Sequence, residues 1–255
     1  MFNNEIIKKI QDLKNNKGAY ALKASFEDEG IADSDLSDLI LLSNAANIRV
    51  YVKIGGCEAN RDIEECLRLG IKGIVAPMVE TEFAVSKFID SIEQRISLFG
   101  TSRPKIFINI ETIEAVKRSK KIFEKYHDRL DGIVVGRSDL SKSMGLGKEY
   151  VNSAQVMLEV KKVLENAKSY NLTTKMGGTV SAESATHIMD LHAQGLLDFF
   201  ETRAVIYEIP KLKNIVASIS SALEYEQLLL ENRIRFHHIK AGFFENRTNN
   251  IERRK

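Results

Sequence analysis

KIFINIETIEAVKRSKKIFEKYHDRLDGIVVG, from Lys105 to Gly136, holds two short apolar runs separated by a longer amphipathic one. The runs Lys105–Glu111 (KIFINIE) and Gly132–Gly136 (GIVVG) are rich in β-branched residues and barely alternate. Such continuous runs suit strands buried on both faces, as in a parallel sheet. Between them, Ile113–Tyr126 repeats its apolar residues at helical spacing. The stretch therefore reads as strand, helix, strand, the repeating unit of α/β folds.

Working outward, the same unit recurs. Upstream lie the strand candidates Ala21–Phe26 (ALKASF), Arg49–Ile54 (RVYVKI) and Gly73–Met78 (GIVAPM). Downstream lie Thr173–Met176 (TTKM) and Phe199–Ile206 (FFETRAVI). Helical patterns fill the gaps at Asp33–Asn44, Ala59–Leu69, Thr81–Leu98, Ser153–Tyr170 and Ala182–Gln194. Gly70 and Gly195 follow helices and precede strands, as helix-ending glycines do. A chain of 255 residues with this alternation fits an α/β (β/α)8 barrel. An open doubly wound sheet is the alternative, but its GxGxxG dinucleotide signature is missing. Seven strands are clear, so the eighth is either cryptic or replaced by the leading helix Asn4–Lys14.

Composition excludes several classes. The 44% hydrophobic content rules out disorder, and Cys57 and Cys66 are too few for a disulfide framework. The net charge of +2 gives no global field for nucleic acid or anionic lipid. The amphipathic start lacks the apolar core of a signal peptide, and no run is long enough to span a membrane. A cytoplasmic protein is expected, with no nucleic-acid or membrane partner.

The alternation stops at Pro210. Residues 1–210 read as the barrel catalytic domain and 211–255 as a helical extension. Lys211–Leu230 reads as a helix, and the tail from Arg233 to Lys255 has seven Lys/Arg against two Glu. The alternatives for this extension are subunit contact or packing on its own barrel.

Barrel chemistry sits where strands exit into the βα loops. Glu111 ends one strand and Asp139 lies just past the next. Two carboxylates plus waters suit Mg²⁺ or Mn²⁺. The competing readings are separate salt bridges, or Asp139 capping a helix. Lys53, Arg137 and Arg203 also fall at strand exits and are candidates to bind a carboxylate or phosphate. None of the five histidines does, which argues against a His/Cys zinc site, and no GxSxG nucleophile motif occurs.

Taken together, INIETIEAVK, DGIVVGRSDLSKSMGLG and GIKGIVAPMVET resemble the HpcH/HpaI aldolase and citrate lyase beta-subunit family. The resemblance runs from about Ala24 to Tyr207. It implies a divalent-metal-dependent carbon–carbon lyase, aldolase or citrate-lyase-like, on a (β/α)8 barrel. Such an enzyme acts on a 2-oxo acid or related carboxylate through a metal-stabilised enolate. Carried over by motif, Glu111 and Asp139 match the metal ligands, and backbone N–H groups around Arg137 and Ser138 would meet the substrate carboxylate. Homo-oligomers that exchange terminal helices are the family's habit.

The chain departs from the family pattern at three points. SFEDEG carries no histidine, which leaves Glu27 or Glu29 as the acid or base. Lys53 stands where the family has a substrate-binding Arg. Arg137 replaces a small residue or Pro, which adds a cation and suggests a more anionic substrate. The expected roles are therefore Glu27, Lys53 and Arg137 in catalysis, and Lys53, Arg137, Ser138 and Arg203 in substrate binding. Two rival readings are a phosphoenolpyruvate-type transferase or mutase, with Arg137 and Arg203 clamping phosphate, and a catalytically inactive binding subunit.

Overall fold

Eight strands close into one barrel in chain order. The structure is a computed structural model. It describes residues 4–29 and 33–255, with only the backbone of Asp28, Glu29 and Asp33. The chain begins with α1 (Asn4–Lys17), β1 (Ala19–Ser25), α2 (Phe26–Glu29), α3 (Asp33–Ala45) and β2 (Arg49–Lys53). It continues through α4 (Asn60–Arg68), β3 (Gly73–Ala76), α5 (Glu82–Phe99), β4 (Lys105–Ile110), α6 (Ile113–Tyr126) and β5 (Gly132–Gly136). Then follow α7 (Arg137–Ser143), α8 (Ala154–Ser169), β6 (Thr173–Gly177), α9 (Ala185–Ala193), β7 (Phe199–Glu201), β8 (Val205–Glu208) and α10 (Ile215–Glu252). The helices start where short polar side chains can cap them. Thr81, Thr112, Ser153 and Asn214 each accept a hydrogen bond from a backbone N–H in the first turn.

The eighth strand was hidden inside the seventh. The sequence reads Phe199–Ile206 as one strand, whereas the structure folds it back at Thr202–Ala204 into β7 and β8. The turn closes with the Thr202 N–H donating to the Val205 carbonyl at 2.9 Å. Parallel neighbours need a crossover of a dozen or more residues, and this connection is far too short for one. β8 therefore runs antiparallel to both β7 and β1, while the other neighbouring pairs are parallel. The leading helix does not substitute for a strand. It packs its buried face, Ile6, Ile10 and Leu13, into the main core.

Strand alternation divides the core in two. One side of each strand joins the large apolar layer beneath the helices. The other points into the barrel, where Ala21, Tyr51, Val75, Phe107, Val134 and Ile206 form a separate cluster. Two residues further along, most inward positions turn polar: Lys23, Lys53, Asn109 and Glu201 line one cavity, with Gly136 beside them. The period-2 geometry thus places an apolar plug below and a polar floor above.

The terminal helix is longer than the sequence suggests, since the basic tail continues it to Glu252. Its first half buries Ile219, Ala222 and Tyr225 against the barrel. Beyond Leu230 it exposes Ile234, Phe236, Ile239, Phe243 and Phe244. Among the described residues no helix is long and apolar enough to cross a membrane.

Candidate active site

The strand exits enclose a cavity of about 320 Å³. Glu111, one residue past β4, and Asp139, in the first turn of α7, both line it. β4 and β5 are hydrogen-bonded neighbours, which is why residues so far apart in sequence line one cavity.

Glu111 is only 3% exposed. One carboxylate oxygen accepts the Met78 backbone N–H at 2.8 Å, and the other accepts the Asn109 amide at 2.9 Å. Met78 lies at φ 51°, in the left-handed region that few non-glycine residues enter. Gly136 leaves the carboxylate its room, since a Cβ there would fall 2.5 Å from Glu111 Oε2. Burial raises the Glu111 pKa, opposed by the Met78 N–H, the Lys53 charge and the Asn109 amide, while Asp139 raises it further. That mutual influence places the two carboxylates in one electrostatic neighbourhood. Asp139 itself is more exposed and pairs with Lys142 at 3.0 Å, an exposed pair of small energetic weight. The side chain of Asp139 does not cap α7, whose N-cap is Gly136 with no side-chain bond.

Lys53 is buried at the cavity wall and forms an ion pair with Glu27, which lies on α2. Ser138 lines the cavity, and its hydroxyl lies 2.8 Å from that of Thr179. Arg203 sits on the β7–β8 turn at the rim, 3.7 Å from Glu226 of α10. Glu29, the other base candidate, has a side chain outside the described residues.

Arg137, expected from the sequence to bind substrate and assist catalysis, is fully buried and is not among the residues that line the cavity. Its guanidinium donates to the carbonyls of Gly177 and Gly178, to Asn152 at 2.6 Å and to Ser184 at 3.2 Å. The reason is its position at the first residue of α7, whose side chain falls behind the β6 exit rather than over the mouth. Arg137 is a clamp on that loop. Gly178, at φ 85°, packs so closely that a Cβ would lie 2.5 Å from the Ser138 nitrogen.

Sequence reasoning missed three residues that line the cavity. Lys23 and Glu201 form an ion pair at the floor, and Glu201 keeps one buried oxygen without a partner. Asn109 likewise has a buried amide oxygen with no partner. The available signal was a polar residue two positions beyond an apolar one on the same strand face. Below them, the Lys175 amine is buried without a hydrogen-bond partner. It lies 3.5 Å from the centre of the Phe107 ring and 4.3 Å from that of Tyr51. Burial pulls its pKa down to about 7.

A closed barrel with carboxylates and lysines gathered at its strand exits has the layout of the barrel enzymes, which act at this face. The chain belongs to the HpcH/HpaI aldolase/citrate lyase family, whose model matches residues 32–189. The family supports an aldolase/citrate-lyase type of activity. Comparison with curated proteins finds no match. Among solved structures, the citrate synthase SbnG is similar at 20% identity and a TM-score of 0.58, covering 87% of this chain and 98% of that one. An HpcH/HpaI aldolase from Desulfitobacterium hafniense DCB-2 is similar at 14% identity and a TM-score of 0.62, covering 79% and 83%. A family protein from Burkholderia cenocepacia J2315 is similar at 14% identity and a TM-score of 0.61, covering 91% and 100%. At these identities the likeness is one of fold.

Proposed function

We propose that the protein is a divalent-metal-dependent carbon–carbon lyase acting on a 2-oxo acid or a related carboxylate. The observation that carries this reading is that Glu111 and Asp139 line one cavity together with the buried Lys53 and the half-buried Lys23.

The donor set fits a hard cation. Among the described residues no three His, Cys, Asp or Glu side chains group closely enough to hold an ion alone. Glu111 and Asp139 do offer carboxylate oxygens, and the partnerless Asn109 oxygen beside Glu111 is a third. Few protein oxygens and several retained waters suit Mg²⁺ or Mn²⁺. When bound, such an ion supplies Lewis-acid polarisation of a carbonyl oxygen.

The chain's own groups do the rest. Lys53 offers positive charge to an anionic substrate, and Glu27 beside it is the candidate to accept or return a proton. Ser138 and the adjacent backbone N–H groups orient a carboxylate, and Arg203 guards the rim. Arg137 acts by holding the β6 loop in place.

The phosphate-clamp alternative is weakened, because it needs Arg137 and Arg203 together and only Arg203 reaches the cavity. The exposed apolar residues of α10 beyond Leu230 support a homo-oligomer. We place the protein in the cytoplasm, with small anionic molecules as its substrates.

The test is pyruvate incubated in D₂O with the protein, with C3-proton loss followed by NMR. Exchange that needs Mg²⁺ or Mn²⁺ and disappears in Glu111→Gln supports the reading. A folded, metal-binding protein that exchanges nothing with pyruvate or other 2-oxo acids sinks it and favours the inactive-subunit reading.

A further inference from the structure

The opposite end of the barrel holds a second and larger cavity, of about 840 Å³. Strand entries define it: Ala19 and Tyr20 begin β1, and Arg49 and Val50 begin β2. The candidate active site uses the exits of the same strands, Ser25 and Lys53. The barrel's length and its apolar plug separate the two.

The charge of this cavity is one-sided. Lys14, Arg49, Lys72, Lys211 and Lys213 line it, and among the described residues no carboxylate does. Nearby acids are already engaged: Glu208 pairs with Lys211 at 2.7 Å, and Asp12 accepts the Asn16 amide at 2.7 Å. Lys14 donates to the Asn47 carbonyl at 2.6 Å, which ties α1 to the turn before β2. Arg49 lies 4.9 Å over the Tyr20 ring, an arrangement that fixes a guanidinium while leaving its edge N–H groups free to donate. Among the described residues, Arg49, Lys72 and Lys213 have no ion-pair partner.

Helix dipoles do not account for this excess. The C-terminal ends of α1, α3 and α4 approach the cavity. Each carries a partial charge of about −0.5, or roughly −1.5 in total, and falls off within a turn. With Glu208 and Asp12 added, about 1.5 of the five positive charges remain uncompensated. Like charges held around a concavity focus a positive potential and attract anions.

We propose that this cavity is a binding site for a small polyphosphate-bearing anion of the nucleoside triphosphate class. The residual positive charge calls for an anionic ligand. The volume lies in the range of ligand pockets and is large for a bare phosphate. Tyr20 and the side-chain amides of Asn15, Asn44 and Asn47 add an aromatic edge and neutral hydrogen-bonding groups. The site is independent of the reaction at the other end.

Isothermal titration calorimetry of the full chain with ATP, without added magnesium and at 150 mM salt, tests it. Saturable binding at one site is expected. The double variant Lys72→Glu/Lys213→Glu, which changes two exposed side chains, should weaken it at least about tenfold. Lys142→Glu/Lys148→Glu at the opposite mouth should leave it intact. Absent or unsaturable binding in the unaltered chain overturns the proposal. So does binding that survives Lys72→Glu/Lys213→Glu, or that weakens equally in both variants.

Discussion

Glu111 is held by two neutral donors, the Met78 N–H and the Asn109 amide. A Gln at this position keeps an acceptor for Met78 and removes the charge. Glu111→Gln should therefore lower metal-dependent pyruvate exchange by at least about 100-fold. Circular dichroism should show the fold unchanged. Lys175 makes the second prediction at this scale. Its folded pKa, about 7, lies below the ordinary lysine value of 10.5. Between those pH values the unfolded chain binds a proton that the folded chain does not, so this group makes stability rise with pH across that window. Lys175→Met removes a buried amine that has no partner. It should raise stability by about 1–4 kcal/mol at pH 7, with the advantage shrinking toward pH 10. Urea unfolding of both proteins at several pH values would measure this.

At the scale of elements, the β5 and β6 exits are one mechanical unit. Arg137 ties the start of α7 to the Gly177 and Gly178 carbonyls, and Gly178 packs against the backbone of Arg137 and Ser138. Arg137→Met leaves those carbonyls and Asn152 without their donor and should cost roughly 3 kcal/mol. Chemical denaturation should show a lowered midpoint. Gly178→Ala puts a methyl group 2.5 Å from a backbone nitrogen at a φ of 85°, and should abolish turnover while circular dichroism still reports a barrel. Much of this level was legible in the sequence. KIFINIE, Thr112 and the helix to Tyr126 announce strand, cap and helix through local spacing alone. The β7–β8 hairpin was not legible, because FFETRAVIYE is a nearly continuous β-rich run interrupted only by Glu-Thr-Arg. Nothing local says that the chain reverses there. The direction of β8 is settled by the gap it closes between β7 and β1.

For the whole molecule, α10 divides into a half that seals the barrel and a half whose large apolar side chains are exposed. The proposed assembly predicts that the intact chain sediments as an oligomer. A chain stopped after Asn232, which keeps Ile219, Ala222 and Tyr225, should sediment as a folded monomer. Unchanged assembly in that truncation would remove the idea. The sequence by itself determined the order of seven strands and the main helices between them, and put Glu111 and Asp139 at successive strand exits. Periodicity and capping are properties of nearby residues, and a parallel barrel turns strand ends into a site. Only the tertiary structure decided which charges converge. It brought Lys23 and Glu201 to the floor, turned Arg137 away to clamp a loop, and gathered Lys14, Arg49, Lys72 and Lys213 at the far end. Those meetings depend on inward register and ring closure, which bring together residues separated by much of the chain.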